Sequence, residues 1–174
     1  MNGMGGIMTR DDFHVDMSGR IYEEKTIGIA LVGTNTKINY GCALKGNLVK
    51  LIKKSLFKGS IFEDSAKLYA ICIYLLVREV KKEIRTLIIC NDEDFGVVKN
   101  VLGRLLKGYD FEIINISEFR KRLGRNVGSL ADNYARIYRR RALKPFKSSV
   151  GKKINVVKVT FTIIKQYWEE IKSK

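Results

Sequence analysis

The sequence predicts a single α/β domain in which helices cover the faces of a mixed β-sheet. The chain has 174 residues, a length that suits one domain with a short extension. Hydrophobic residues make up 45% of it, which is enough for a core and excludes wholesale disorder. Strand-like apolar runs come first and then alternate with helical patterns, and this order is typical of a mixed sheet.

Three strands are expected to form an antiparallel meander at the start of the domain. Residues 13–16 begin a strand that residues 17–19 interrupt with a turn or bulge. Residues 26–32 (TIGIALV) are rich in Ile and Val, as strands are. The segment 33–36 is a hairpin turn, and residues 37–44 return as the third strand.

Helices and strands then alternate. Residues 65–82 are apolar nearly all round, so this helix should be buried against the sheet. The unbroken apolar run 85–91 fits an interior strand covered on both faces. A helix over 92–107, a strand over 111–116 and a helix over 129–143 complete the domain.

Two further segments have an apolar pattern that is compatible with regular structure. Residues 46–57 form a short basic amphipathic helix, and residues 154–171 fit either a helix or a strand followed by a helix. We therefore expect a flexible start over residues 1–10, a domain over 11–145 and an extension over 146–174 packed on the domain.

The three cysteines and the single histidine limit the chemistry. Cys42, Cys72 and Cys90 lie in apolar runs without a CxxC spacing, which predicts reduced thiols of a cytoplasmic protein. One His excludes multi-His zinc centres. The longest apolar run is about half of the ~18 residues that a membrane span needs, so no membrane partner is expected.

The positive charge is concentrated in two segments. The chain carries 33 Lys+Arg against 18 Asp+Glu, a formal net charge of +15. Residues 45–58 hold five lysines and no acid, and residues 120–153 hold twelve basic residues and one acid. Such segments bind polyanions, and nucleic acid, DNA or RNA, is the expected partner. The expected contacts are Lys50, Lys53, Lys54, Lys67, Arg139, Arg140 and Arg141.

Three acids occur where this topology can bring them together. Asp16 ends the first strand, Asp92 follows the interior strand and Asp132 lies early in the last helix of the domain. A right-handed crossover places the first strand parallel to the interior one, so Asp16 and Asp92 become neighbours. Convergent carboxylates repel one another unless a cation is present, which predicts a Mg²⁺ or Mn²⁺ site.

The order of these elements and acids resembles the ribonuclease H-like superfamily. The match covers about residues 13–142 and includes Ile-Ile-Cys-Asn-Asp at 88–92 and Ala-Asp-Asn-Tyr-Ala at 131–135. The resemblance implies a five-stranded sheet of order 3-2-1-4-5 and hydrolysis of nucleic-acid phosphodiesters by a two-metal mechanism. It also implies that Asp16, Asp92 and Asp132 are the catalytic metal ligands.

One position departs from the superfamily pattern. Members carry a Glu early in the long helix, and Lys67 stands in that place here. Glu63 or Asp64, up to one turn earlier, is expected to substitute as a catalytic acid. Otherwise the metal site is incomplete, or Lys67 supplies a phosphate contact in place of a ligand. Lys67 also favours the alternative of a catalytically silent nucleic-acid-binding protein. A third alternative is a structural subunit of a larger ribonucleoprotein, in which the basic segments are buried on RNA.

Each acid also has a purely structural interpretation. Asp16 could shape the turn that follows it. Asp92 could be the N-cap of the next helix, a place that Asp94 could also take. Asp132 could belong to a capping box with Ser129. These alternatives remain open from the sequence.

Overall fold

The computed structural model describes residues 9–144 and 153–173. Five strands form one mixed sheet in the order β3-β2-β1-β4-β5, which confirms the predicted α/β class and strand order. The strands are β1 (Asp11–Ser18), β2 (Ile27–Gly33), β3 (Asn39–Leu44), β4 (Ile84–Ile89) and β5 (Glu112–Asn115).

The strand directions follow from the lengths of the connections. β1, β2 and β3 pair antiparallel through short turns, whereas β4 pairs parallel to β1 after a long crossover. β5 pairs parallel to β4. The three antiparallel strands and the two parallel ones together give the expected mixed sheet.

Six α-helices lie within the described residues. They are α1 (Gly46–Leu56), α2 (Ile61–Val77), α3 (Phe95–Leu105), α4 (Ile116–Leu123), α5 (Asp132–Leu143) and α6 (Phe161–Lys172). The helix α2 begins and ends about one turn earlier than predicted. The helix α4 is not among the predicted elements, and it starts where the expected last strand ends.

Helices cover both faces of the sheet. The first face carries Phe13, Val15 and the other members of the main core, and α1, α2, α3 and α6 pack on it. The second face is smaller, with Ala30 and Val32 under α5 and Ile88 under α4. Because side chains alternate along a strand, Asp16 belongs to the second face, next to Val15 on the first.

The C-terminal extension is held at two places. Residues 153–157 run along β3, where the Gly41 N–H donates to the Asn155 carbonyl at 3.0 Å and Gly41 and Val156 form a parallel bridge. The helix α6 buries Trp168 against the helices of the first face. The expected strand followed by a helix is thus reduced to a bridge followed by a helix. The predicted flexible start lies almost wholly outside the described residues, and so do residues 146–152 of the extension.

Candidate functional site

The carboxyl-terminal ends of β1 and β4 bring three possible metal ligands together. The two strands are parallel neighbours, and the Cys90 N–H continues their ladder by donating to the Val15 carbonyl at 3.1 Å. One ligand atom each of Asp16, Cys90 and Asp92 lies within 4.8 Å of the others. We call these three residues the acidic cluster. The predicted meeting of Asp16 with Asp92 is therefore present.

Asp92 does not cap the following helix. The carboxylate of Asp94 accepts from the Val97 N–H at 3.1 Å and is the N-cap of α3. The capping interpretation of Asp92 is wrong, because the helix begins two residues later than it requires.

The two carboxylates of the acidic cluster share a confined space. Asp16 is buried, and its Oδ1 accepts from the Met17 N–H at 2.8 Å. Taken as a whole residue, Asp92 is exposed to solvent, but its carboxyl group lies close to that of Asp16. Removal from water, a hydrogen bond with Asp16 and repulsion by its charge raise the pKa of Asp92 to about 7. Near neutral pH the pair therefore holds part of a proton, and a bound cation would remove the repulsion.

Burial raises the pKa of several ionisable groups around the cluster, and one of these groups has no hydrogen-bond partner among the described residues. Burial and the negative charge of Asp16 raise the pKa of Cys90 to about 12. The Tyr69 hydroxyl, from α2, is fully buried and has no hydrogen-bond partner within the described residues. Burial followed by the charges of Asp92, Asp16 and Cys90 raises the pKa of Tyr69 well above its ordinary value. Burial also raises the pKa of Glu93 to about 7.

A groove of about 500 Å³ runs alongside the end of β1, and we call it the arginine groove. Its lining comprises Met17, Ser18, Gly19, Asp132, Arg136, Arg139, Arg140 and Leu143. The Arg139 Nε is buried and donates to no acceptor in the part of the chain that the structure describes. The groove thus offers an unused cationic donor close to the strand that carries Asp16.

Asp132 lies in the arginine groove and outside the acidic cluster. Its Oδ2 pairs with Arg136 Nη2 at 3.1 Å, one turn later on the same helix. No ligand atom of Asp132 belongs to the group within 4.8 Å around Asp16, among the residues described. The structure therefore places Asp132 beside the cluster, engaged with an arginine.

Small residues on the second face of the sheet allow α5 to approach this closely. A methyl group on Gly28 would clash with the Ala135 carbonyl and stand 2.6 Å from the Arg139 nitrogen. A methyl group on Gly41 would overlap the ring of Tyr138. The Tyr138 hydroxyl in turn donates to Asn39 Oδ1 at 2.7 Å. These contacts fix the arginines of α5 relative to the end of β1.

Glu63 and Asp64 lie at a different place from the acidic cluster. Lys67 Nζ stands 2.8 Å from Glu63 Oε1 and 3.3 Å from Asp64 Oδ1. Asp64 also accepts from the backbone N–H groups of Lys58 and Gly59. This network lines a cleft of about 580 Å³ that residues of α3 and α6 complete. The structure does not bring Glu63 to Asp16, and Lys67 is neutralised locally.

The remaining predicted nucleic-acid contacts differ in whether their charges are paired with acids of the protein. Lys53 is engaged, because its Nζ stands 2.8 Å from Glu24 Oε1 in the β1–β2 connection. Lys50, Lys54, Arg140 and Arg141 are exposed. None of the ion pairs among the described residues includes these four. Because Arg139 stands near Gly19, both basic segments border the β1–β2 connection, from opposite faces of the sheet.

Sequence reasoning missed Cys90, Glu93 and Tyr69 as parts of this region. Cys90 ends an apolar run and was expected to be a buried thiol only. Its spacing of two from Asp92 is the signal that could have placed both on one side of the chain. No sequence signal distinguishes Tyr69 from the other apolar positions of α2.

Comparison of the chain with protein-family models, with curated proteins and with solved structures gave no significant match. In the described ranges, no helix is both long enough and apolar enough to cross a lipid bilayer.

Proposed function

We propose that this protein is a metal-dependent nuclease that hydrolyses nucleic-acid phosphodiester bonds. The observation that carries the proposal is the pairing of Asp16 with Asp92 at adjacent parallel strand ends, beside the arginine groove. Two carboxylates forced together attract a divalent cation, and the nearby arginines attract phosphate. A site with both properties suits a reaction on a polyanion.

The architecture supports the ribonuclease H-like part of the proposal. The strand order 3-2-1-4-5 is the one that the resemblance implies. In this sheet only β2 runs antiparallel to the other four strands. The candidate ligands stand at the ends of β1 and β4, as the resemblance also implies. The further ligand that it implies, Asp132, opens α5 next to them.

Asp16 and Asp92 would hold a Mg²⁺ or Mn²⁺ ion. When bound, such an ion lowers the pKa of a water and stabilises the leaving oxygen of a phosphodiester. The chain itself orients Asp16 through the Met17 N–H and offers Arg139 and Arg140, which line the arginine groove, for contacts with the phosphate backbone. Asp132 would join the ligands only after leaving Arg136.

A cleavage assay tests this proposal. The full chain is incubated with labelled single strands, duplexes and RNA–DNA hybrids, with Mg²⁺, Mn²⁺ or a chelator. We expect cleavage that needs the divalent ion, and a loss of at least about 100-fold in Asp16→Asn, because a catalytic metal supplies several kcal/mol to the transition state.

Asp12→Asn is the matched control for that experiment. Asp12 lies on the same strand, at its other end, where its carboxylate pairs with Arg85 at 2.8 Å. Asp12→Asn should therefore cleave like the natural sequence. Equal cleavage by Asp16→Asn and Asp12→Asn, or cleavage that survives the chelator, would contradict the proposal.

A second candidate function is nucleic-acid binding without catalysis. It is favoured by the engagement of Asp132 with Arg136 and of Lys67 with Glu63, which leaves two carboxylates in the acidic cluster. This candidate predicts that every substrate is bound and none is cut, with any divalent ion. The cleavage assay, combined with a binding measurement on the same samples, separates the two functions.

A further inference from the structure

The donor atoms of the acidic cluster are not all oxygen, and this bears on which ion the site would take. The third member is the sulfur of Cys90, within 4.8 Å of both carboxylates. Mg²⁺ binds oxygen ligands almost exclusively, whereas a thiolate selects softer ions such as Zn²⁺. A purely oxygen-based interpretation of the site leaves this sulfur without a role.

The spacing is within reach of a single ion. At the tetrahedral angle, Zn–S bonds of about 2.3 Å and Zn–O bonds of about 2.0–2.2 Å place two ligand atoms of one zinc roughly 3.5 Å apart. The three donor atoms all lie within 4.8 Å of one another, so side-chain movements of about 1 Å close the site. Three protein ligands with one open position for water are the usual arrangement of a catalytic zinc.

A further buried polar group, the Tyr69 hydroxyl of α2, lies in the same region. It is fully buried and has no acceptor within the described residues, although burying such a group without a partner is costly. The carboxylates and the thiol of the cluster are among the groups whose charges act on it.

We propose that Asp16, Cys90 and Asp92 together form a mixed oxygen–sulfur site that prefers a thiophilic divalent ion, of the Zn²⁺ class, to Mg²⁺. This inference rests on the proposed function, because it concerns the ion of the same site. On binding, the Cys90 S–H bond breaks, a sulfur–metal bond forms and the proton leaves to the solvent. No electron is transferred.

The other two cysteines make the proposal testable by spectroscopy. Cys42 and Cys72 are completely buried in the main core, away from solvent. A thiolate–metal absorption band can therefore be attributed to Cys90 by substitution. The probe is Co²⁺, which replaces Zn²⁺ and gives a charge-transfer band only when sulfur is a ligand, and Zn²⁺, Mn²⁺ and Mg²⁺ then compete for the site.

The full chain, Cys90→Ser, Cys42→Ala and Asp16→Asn are titrated with Co²⁺. We expect the charge-transfer band in the natural sequence and in Cys42→Ala and its absence in Cys90→Ser. We expect the Zn²⁺ affinity of Cys90→Ser to fall by at least about tenfold, since even the loss of groups that support a ligand costs roughly 10–100-fold. The Mn²⁺ affinity should change less.

Two results would overturn the inference, and they differ in what they mean for the proposed function. If Co²⁺ binds to the natural sequence without the band, and Asp16→Asn abolishes binding, Cys90 is not a ligand and the carboxylate nuclease site remains. If no ion binds to the natural sequence, or Asp16→Asn binds equally well, both proposals fail. Circular dichroism of each variant identifies loss of folding as a separate cause.

Discussion

At the scale of single residues, two carboxylates of this protein lie so close together that ionisation of both is energetically unfavourable. The buried Asp16 and the neighbouring Asp92 repel each other when both are ionised, and the pKa of Asp92 rises to about 7 as a result of burial, its hydrogen bond and that repulsion. Such strain at a pair of acids lowers stability and is typical of a site that needs a cation.

The strain predicts how stability depends on pH in the absence of metal. An acid whose pKa is higher in the folded state binds more protons there, so the free energy of unfolding falls as the pH rises from 3.8 to about 7. Asp92→Asn should remove part of this slope and be more stable than the natural sequence above about pH 7, by about 1 kcal/mol, because solvent around the exposed Asp92 screens the repulsion.

Urea unfolding in a chelating buffer across this pH range measures the effect. Glu93, whose pKa is also raised to about 7, titrates in the same window, so Glu93→Gln is measured in parallel. Parallel pH profiles for the natural sequence and Asp92→Asn would show that the pair is not strained.

The residues of the candidate site could be predicted from the sequence only in part. Asp16 and Asp92 follow from strand ends, because parallel neighbours end at one edge of a sheet. Glu63 does not reach them, since it stands in the first turn of α2 and pairs with Lys67. Cys90 was missed because a thiol after an apolar run has the same composition as a core position.

At the scale of elements, the position of α5 decides whether its arginines reach the end of β1. The helix lies directly on the sheet, where Gly28 and Gly41 leave room for Ala135 and the ring of Tyr138. A helix held this close carries its arginines to the end of β1. The two glycines do not line the groove, but they are part of what builds it.

Gly28→Ala should test this packing. The added methyl group would meet the Ala135 carbonyl and the Arg139 nitrogen, and overpacking of this kind costs roughly 1–3 kcal/mol. The matched control is Gly103→Ala, in the exposed face of α3 with no atom near its added Cβ. That variant should be unchanged or more stable by up to about 1 kcal/mol. Equal effects of the two substitutions on urea unfolding would contradict the packing argument.

The elements themselves were predictable where hydrophobic patterns are long. The sheet and α1, α2 and α3 have clear apolar patterns, and their predicted positions are correct to within about one helical turn. The helix α5 is predicted from its acidic start and basic end, which suit the helix dipole, and it begins three residues later than predicted. The helix α4 was missed because its eight residues bury only Ile116, which the sequence equally allows as the end of a strand. Its Asn115 N-cap, which accepts from the Glu118 N–H at 2.8 Å, is a signal that was available.

At the scale of the whole molecule, the distribution of charge matches the position of the acidic cluster. The two basic segments are far apart in the chain, yet α1 and α5 both reach the β1–β2 connection that follows Asp16. Part of their charge is neutralised internally, as in the pairs Lys53–Glu24 and Arg136–Asp132. The net charge of +15 already counts these acids, so the pairs leave it unchanged, but they reduce the number of unpaired basic side chains. The exposed arginines at the end of α5 therefore become the decisive ones.

This distribution predicts which substitutions weaken nucleic-acid binding. Arg140 and Arg141 are exposed and join no ion pair among the described residues, so Arg140→Gln with Arg141→Gln removes two free charges without disturbing the core. Each lost phosphate contact lowers the slope of log affinity against log salt by about 0.7–0.9, so the double variant should lose about 1.5 in slope and roughly tenfold in affinity.

Lys99→Gln with Lys165→Gln removes the same charge from exposed positions of α3 and α6, outside both basic segments. If binding followed net charge alone, the two double variants would weaken equally in a salt titration; if it follows the exposed arginines at the end of α5, only the first does.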